Sequence, residues 1–323
     1  MRIIIHGVGA VGGVLAAALS RSGQQVVGIA RGAQLEAIRA DGLTVRTPQE
    51  TFSARFDCVA HPSEITFEAD DLILLTMKSQ DTVAALEDLR AAGVRDQHIF
   101  CFQNGVANEP TALRRFPNVH GVTVMMPCSY LKPGQVSVRA QPRFGLFDIG
   151  RYPHGADDAD RSLAAALDAA GFAGFPMEDV MQSKYGKLLM NLGNIIEASV
   201  GPGVDTAPLR QRVRSEAETV LQAAGISWVD VGAADPRRDA ILKVAEVPGE
   251  ARPGGSTVQS LRRGTGHVET DYLNGEIAYL GRRHDVEAPL NARLTQLGAD
   301  LVRQGHSPGD LSVEDLTALL DGT

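Results

Sequence analysis

The sequence predicts an α/β protein: an N-terminal doubly wound domain on a mostly parallel sheet, followed by an all-α C-terminal domain. Three observations carry that expectation. In the first half of the chain, short β-rich runs alternate with helix-like segments, the pattern of βαβ units. The first of these runs ends in a glycine-rich turn that opens a helix. From Asp179 onward, helix-like segments follow one another, punctuated by Pro202, Pro248, Pro253, Pro289 and Pro308. A chain of 323 residues is long for one core and suits two domains, placed here at residues 1–177 and 178–323.

Taken in order, strands are expected at Ile3–His6, Val26–Ala30, Leu72–Thr76, Ile99–Phe102 and Val122–Met125. Helices are expected between them at Val11–Ser20, Gln34–Ala40, Thr82–Ala91 and Glu109–Arg115. Gln135–Val138 and Arg143–Ile149 read as short strands separated by turn residues, an antiparallel addition to the sheet. The second half predicts helices at Asp179–Ala198, Leu209–Ala224, Pro236–Val247, His267–Arg283 and Ala288–Arg303, and no strand. The run Pro248–Gly255 breaks the helical pattern and reads as a loop.

Composition narrows the function. A 44% hydrophobic and 22% charged chain is that of a folded globular protein. The net charge of -8 argues against nucleic acid or an anionic membrane as partner, while leaving room for a local basic pocket. The 3 cysteines, Cys58, Cys101 and Cys128, are far apart and form neither a disulfide framework nor a metal motif. No uninterrupted apolar run reaches the roughly 20 residues of a transmembrane helix, and the start at Arg2 is expected to be a strand rather than a signal peptide. The expectation is a cytoplasmic protein acting on a small molecule. A homodimer is compatible with these features, which do not determine the oligomeric state.

The turn Gly7-Val8-Gly9-Ala10-Val11-Gly12 sits between a strand and a helix. Its first glycine allows the tight turn, its second lets backbone approach a pyrophosphate, and its third lets helix and strand pack closely. The helix N-terminus then faces the anion. This is the dinucleotide fingerprint of a Rossmann-type domain. At the tip of the second strand, where NAD-specific domains carry an acid, stands Ala30-Arg31-Gly32. A guanidinium matches a 2′-phosphate in charge and shape, which selects NADP with Arg31 as its reader; the competing account is a solvated loop arginine. Lys78 and Asn104 follow two further strands at their carboxyl ends, where doubly wound sheets bind ligands.

In the helix from Asp179, Lys187 and Asn191 are four residues apart and share a face. A lysine can protonate and stabilise a carbonyl oxygen receiving hydride, and an amide can orient it. Lys184 is a competitor, offset from Lys187 around the helix and expected to contribute little. Ser256 follows the glycine-rich loop, as a carboxylate-binding hydroxyl or simply as a helix cap. Glu269, thirteen residues later, is a hydrogen-bond acceptor for a substrate hydroxyl or a surface carboxylate.

The ordered set resembles the ketopantoate reductase (2-dehydropantoate 2-reductase) family nearly end to end. It comprises Gly7–Gly12, Ala30-Arg31-Gly32, Met77-Lys78, Gln103-Asn104-Gly105, Lys187-Leu188-Leu189-Met190-Asn191, Ser256 with Gln259, and Glu269–Gly275. The resemblance implies that Lys187 is the general acid, assisted by Asn191. It further implies that Ser256 holds the substrate carboxylate, that Glu269 touches the hydroxyl of substrate or product, and that Lys78 and Asn104 face the cofactor. The implied reaction is NADPH-dependent reduction of a 2-oxo acid to a 2-hydroxy acid.

Three departures stand out. The family's second asparagine, eight residues after the lysine, is replaced by Ile195, and Asn194 stands one residue earlier. On a continuous helix Asn194 still faces the same side, rotated by about 20°. The family's Ser-Met-Leu-Gln-Asp becomes Ser256-Thr257-Val258-Gln259-Ser260, losing a carboxylate, and the spacing from Ser256 to Glu269 is one residue longer. Two alternatives follow: a related dehydrogenase acting on another oxo or hydroxy acid, and an NADP sensor without chemistry. Lys187 and Asn191 argue against the sensor, which needs no proton donor.

Overall fold

The computed structural model describes residues 1–251, 253–264 and 266–322. Its strands are β1 (Ile3–His6), β2 (Val26–Ile29), β3 (Leu43–Arg46), β4 (Thr51–Ala54), β5 (Asp57–Val59), β6 (Leu72–Leu75) and β7 (His98–Cys101). They continue with β8 (Val119–Met125), β9 (Cys128–Lys132), β10 (Gln135–Val138), β11 (Ala140–Pro142), β12 (Leu146–Arg151), β13 (Ala173–Pro176) and β14 (Leu242–Val244). The helices are α1 (Ala10–Arg21), α2 (Gly32–Asp41), α3 (Thr82–Ala91), α4 (Asn108–Leu113), α5 (Asp158–Ala169), α6 (Val180–Asn191) and α7 (Asn194–Val200). After these come α8 (Ala207–Ala223), α9 (Pro236–Ile241), α10 (Ser256–Arg262), α11 (Asn274–Arg283), α12 (Pro289–Gln304) and α13 (Val313–Asp321).

The chain forms two compact units. The first holds Met1–Asn104, Asn108–Lys184 and Ala233–Glu250; the second holds Gly105–Ala107, Tyr185–Gly232 and Ala251–Thr323. The division therefore falls inside α6 rather than at residue 177, and one later segment returns to the first unit.

In the first unit, an 8-stranded sheet runs β13-β12-β8-β7-β6-β1-β2-β5 among the described residues. Every neighbouring pair is parallel except β12 against β8, so the expected Rossmann-type sheet and its antiparallel addition are both present. β1 and β6 are buried along their whole length, which is why they read as continuous apolar runs rather than alternating ones. Ile4, Ile73, Leu75, Ile99 and Val119 pack against Leu86, Leu89 and Phe116 in one hydrophobic cluster. The second strand of the predicted antiparallel addition is β12, whereas Gln135–Val138 (β10) joins a separate 4-stranded sheet, β4-β3-β10-β9.

The returning segment corrects two expectations. The helix predicted over Pro236–Val247 ends at Ile241, and Leu242–Val244 becomes a strand paired antiparallel with β11. Long-range pairing overrides local helical propensity there. In the preceding α9, Arg237 bridges the fully buried carboxylate of Asp148 on β12 and the carboxylate of Asp235, each at 2.7 Å.

The described part of the second unit is helical. The helix predicted over Asp179–Ala198 is interrupted at Leu192–Gly193, giving α6 and α7. The freed carbonyl of Leu192 accepts a hydrogen bond from the buried Nδ2 of Asn274, at 3.2 Å. The helix predicted from His267 begins only at Asn274, after a short 3-10 turn at Thr270–Tyr272.

Candidate active site

The candidate nucleotide-binding residues lie in the first unit, and a Cβ would meet different surroundings at each glycine of the fingerprint. Gly7 has φ +107°, and a Cβ there would lie 2.8 Å from the Met77 amide nitrogen. A Cβ on Gly12 would strike the Gly7 carbonyl and the Thr76 hydroxyl. A Cβ on Gly9 would meet no described residue within 4 Å beyond its chain neighbours and its own helix. Two glycines are thus required by packing and the third opens onto free space, the arrangement that backbone approach to a pyrophosphate needs. Gly9 is also the N-cap of α1, and no side chain caps it and no acidic residue occupies the first turn. The amides of Ala10 and Val11 begin that turn, where a phosphate is stabilised by free N–H groups and the helix dipole.

The cradle is held by partners that sequence spacing does not reveal. The Thr76 hydroxyl donates to the carbonyls of Gly7 (2.8 Å) and His6 (3.1 Å). Buried Gln34 donates to the carbonyl of Val8 (3.0 Å) and accepts from the Gly134 amide (2.8 Å). Arg31 is exposed at the start of α2 with extended backbone, and its guanidinium makes no hydrogen bond or ion pair with the described residues. Its charge reaches His6, whose pKa is pushed down to about 4, chiefly by burial and then by Arg31.

Lys78 and Asn104 follow β6 and β7 and are half-buried. A buried network ties their turns together. Gln103 donates to the Thr82 hydroxyl (2.7 Å), which donates to Asn108 Oδ1 (2.8 Å). The Asn108 Nδ2 reaches the Ser79 hydroxyl (3.1 Å) and the Asn104 carbonyl (3.3 Å). Lys184 completes this set and overturns its expected idleness. It is buried, donates to the Gln103 carbonyl (3.0 Å) and pairs closely with the fully buried Glu109. Burial pushes the Glu109 carboxyl up, against the opposing pull of Lys184. The dense Asn104–Glu109 run was the sole signal for this network; Thr82 and Lys184 are too distant in sequence to have been found.

In the second unit, α6 carries half-buried Lys187 and, one turn later, buried Asn191. The Asn191 Nδ2 has no acceptor among the described residues. Beside Lys187, Gly186 admits the backbone of Val229, which a Cβ would strike. Asn194 is the first residue of α7, so its side chain is placed by a new helix start and not by a continuous two-turn run. Ile195 and Ile196 are core residues. Ser256 opens α10, but its cap is Gly255, so the serine hydroxyl is not spent on capping. A Cβ on Gly255 would lie 3.9 Å from Asn194 Oδ1 and 2.8 Å from Glu197 Oε2. The fold therefore brings Asn194 to the start of the Ser256 helix, with Glu197 as a neighbour the sequence reading passed over. Glu269 is buried rather than a surface carboxylate, at the head of the 3-10 turn. Asn274, in the same Glu269–Gly275 segment, is tied to the end of α6 through Leu192.

A glycine cradle of this form in a doubly wound sheet, joined to an all-helical unit, defines a nicotinamide-dependent oxidoreductase. Residues 3–153 match the family described as Ketopantoate reductase PanE/ApbA, and residues 179–301 match its C-terminal part. The chain is 28% identical over 305 residues to the 2-dehydropantoate 2-reductase of Pyrococcus horikoshii, covering 92% of this chain and 96% of that one. The solved PanE/ApbA family ketopantoate reductase from Ralstonia eutropha JMP134 is similar with a TM-score of 0.77 at 28% identity, covering 94% of this chain and 99% of that one. The fold is shared also with D-mandelate dehydrogenase in its structure with NADH and anilino(oxo)acetate, at a TM-score of 0.76 and 23% identity, covering 94% of this chain and 99% of that one. The chain belongs to the ketopantoate reductase family and is an NADP-dependent oxidoreductase. None of its described helices is long and apolar enough to cross a membrane.

Proposed function

We propose that this protein reduces a 2-oxo acid to the 2-hydroxy acid, with 2-dehydropantoate as substrate and pantoate as product. The observation that carries the reading is Asn191: a buried amide donor with no acceptor among the described residues, one turn after Lys187. An unpaired buried donor costs about 1–3 kcal/mol, which a bound oxygen would offset. When bound, NADPH supplies the hydride. Lys187 stabilises the negative charge building on the carbonyl oxygen and delivers its proton there. Asn191 and Asn194 orient the substrate, Ser256 donates its hydroxyl to the carboxylate, and Glu269 accepts from the substrate hydroxyl. Arg31 reads the 2′-phosphate, the Gly7–Gly12 turn holds the pyrophosphate at the free amides that begin α1, and Lys78 and Asn104 meet the nicotinamide end. This assigns nucleotide binding to the doubly wound unit and the proton-donating and substrate-holding residues to the helical unit, in a cytoplasmic enzyme with a small-molecule partner.

A second reading has its own support. Ile195 and Ser260 depart from the family pattern on the substrate side alone, and D-mandelate dehydrogenase shares the fold. That reading keeps the reaction and changes the 2-oxo acid. A panel of 2-oxo acids, with NADPH consumption followed by absorbance, separates the two. The first expects 2-dehydropantoate to give the highest kcat/KM. Another acid exceeding it by more than about a hundredfold (roughly 2.7 kcal/mol) selects the second, and no turnover with any acid defeats both.

A further inference from the structure

We propose that His98, His120 and Asp157 bind one divalent transition-metal ion of the zinc type, at the amino-terminal ends of β7 and β8, whereas the nucleotide cradle lies at the carboxyl end of the parallel β1. One ligand atom from each residue lies within 4.8 Å of the other two. His98 opens β7 and His120 lies on the adjacent β8, while Asp157 caps the N-terminus of α5. The two imidazoles face each other, His98 Nδ1 to His120 Nε2 at 2.9 Å.

Three features make this more than a chance meeting of polar groups. First, the other nitrogen of His120, Nδ1, is bound to Asp160 Oδ1 at 2.7 Å, and both residues are fully buried. That contact makes Nδ1 the proton carrier and leaves the Nε2 lone pair directed at His98. A carboxylate behind a ligating histidine is the common outer-shell arrangement of metal sites. Second, the His120 ring is held by stacking on Phe100, with centroids 4.2 Å apart, so its direction is set in advance. Third, His98 is only partly buried, which leaves a path for the ion and room for water as a further ligand.

Tetrahedral zinc with bonds of about 2.0–2.1 Å sets two nitrogens roughly 3.3 Å apart. The imidazoles need to part by a few tenths of an ångström, a small rotation of His98. Asp157 already accepts from the Ala159 and Asp160 amides through Oδ1 and from Arg151 at 2.7 Å through Oδ2. Each carboxylate oxygen has two acceptor sites, so Oδ2 retains one for a metal. Asn104 lies beyond the far end of β7 from His98, roughly 13 Å along a strand of four residues. The metal would therefore pin α5 to β7 and β8 without touching the reacting groups.

The test uses the whole protein, freed of metal by a chelator. Titration with ZnCl2 by calorimetry should show one equivalent per chain, and CoCl2 should produce visible ligand-field bands. Zinc should raise Tm. His98→Gln keeps an amide beside His120 but removes the ligand, and should abolish the equivalent, the bands and the Tm rise while NADPH oxidation continues. If that variant fails to fold, Asp157→Asn retains a helix cap and should weaken zinc at least tenfold. Absence of zinc binding by the parent at micromolar concentrations overturns the proposal, leaving a metal-free hydrogen-bonded chain. Undiminished binding in either folded variant does so equally, by placing the metal elsewhere.

Discussion

Lys184 and Lys187 lie three residues apart on one helix, and the proposed function gives them different work. Lys184 is sealed against Glu109, so its removal leaves a carboxylate buried without a partner. Lys184→Met should cost about 3–5 kcal/mol of stability by denaturant unfolding, and Glu109→Gln in the same chain should restore much of it. Helix geometry alone had assigned this residue no consequence, because rotation around an axis says nothing of what packs there. Lys187→Ala should instead leave stability and NADPH affinity near wild type and lower kcat by about 10²–10⁴, the span of a lost general acid. Wild-type turnover in that variant would pass the role to another cation, with Lys78 the next candidate. Arg31 is tested by binding alone. Arg31→Ala should weaken NADPH by about 1.5–3 kcal/mol, roughly tenfold to a hundredfold, and spare NADH. Equal affinity of the parent for both nucleotides would contradict its part as phosphate reader.

Among elements, the β1–α1 turn was the most legible, since each of its glycines answers a separate local demand. The structure turns that into a contrast. Gly12→Ala should destabilise the fold as well as nucleotide binding, because its Cβ would strike the Gly7 carbonyl. The Cβ of Gly9→Ala meets no described residue beyond its chain neighbours and its own helix, so the variant should keep Tm within a few degrees while sharply weakening NADPH, as read by thermal melts and fluorescence titration. Other elements were open to the same kind of reading and were missed. Asp157 and Asp160 form a capping box that announces α5, and Ser312 with Asp315 announces α13. The interruption between α6 and α7 was not legible, because it depends on Asn274, distant in sequence, taking up the carbonyl of Leu192.

At the scale of the whole molecule, buried polar groups couple stability to pH. His6 is buried beside Arg31, with His61 and Asp88 also in its field, and titrates at about 4 rather than 6.5. Between those values the unfolded chain binds a proton that the native one refuses. Stability therefore rises with pH across this window, falls on acidification, and levels off for this group below pH 4. The contribution is about 3 kcal/mol at the acid end. Chemical denaturation should show His6→Leu losing that much less than the parent between pH 6.5 and pH 4, and an unchanged pH profile would refute the assignment.

The order of strands and helices in the first half, the glycine cradle, the arginine at the second strand's tip and the Lys187–Asn191 spacing all followed from the sequence by itself. Each is a local pattern, set by backbone sterics, by helical and strand periodicity, or by charge at a known place in a βαβ unit. Tertiary structure alone decided that Ala233–Glu250 returns to the first unit. It likewise decided that Lys184 is a buried ion-pair partner, that Asn194 meets the start of the Ser256 helix, and that two histidines and an aspartate converge at the amino-terminal ends of β7 and β8. Those outcomes rest on contacts between residues tens to more than a hundred positions apart. Their energy comes from burial and pairing, and neither periodicity nor propensity along a single segment records it.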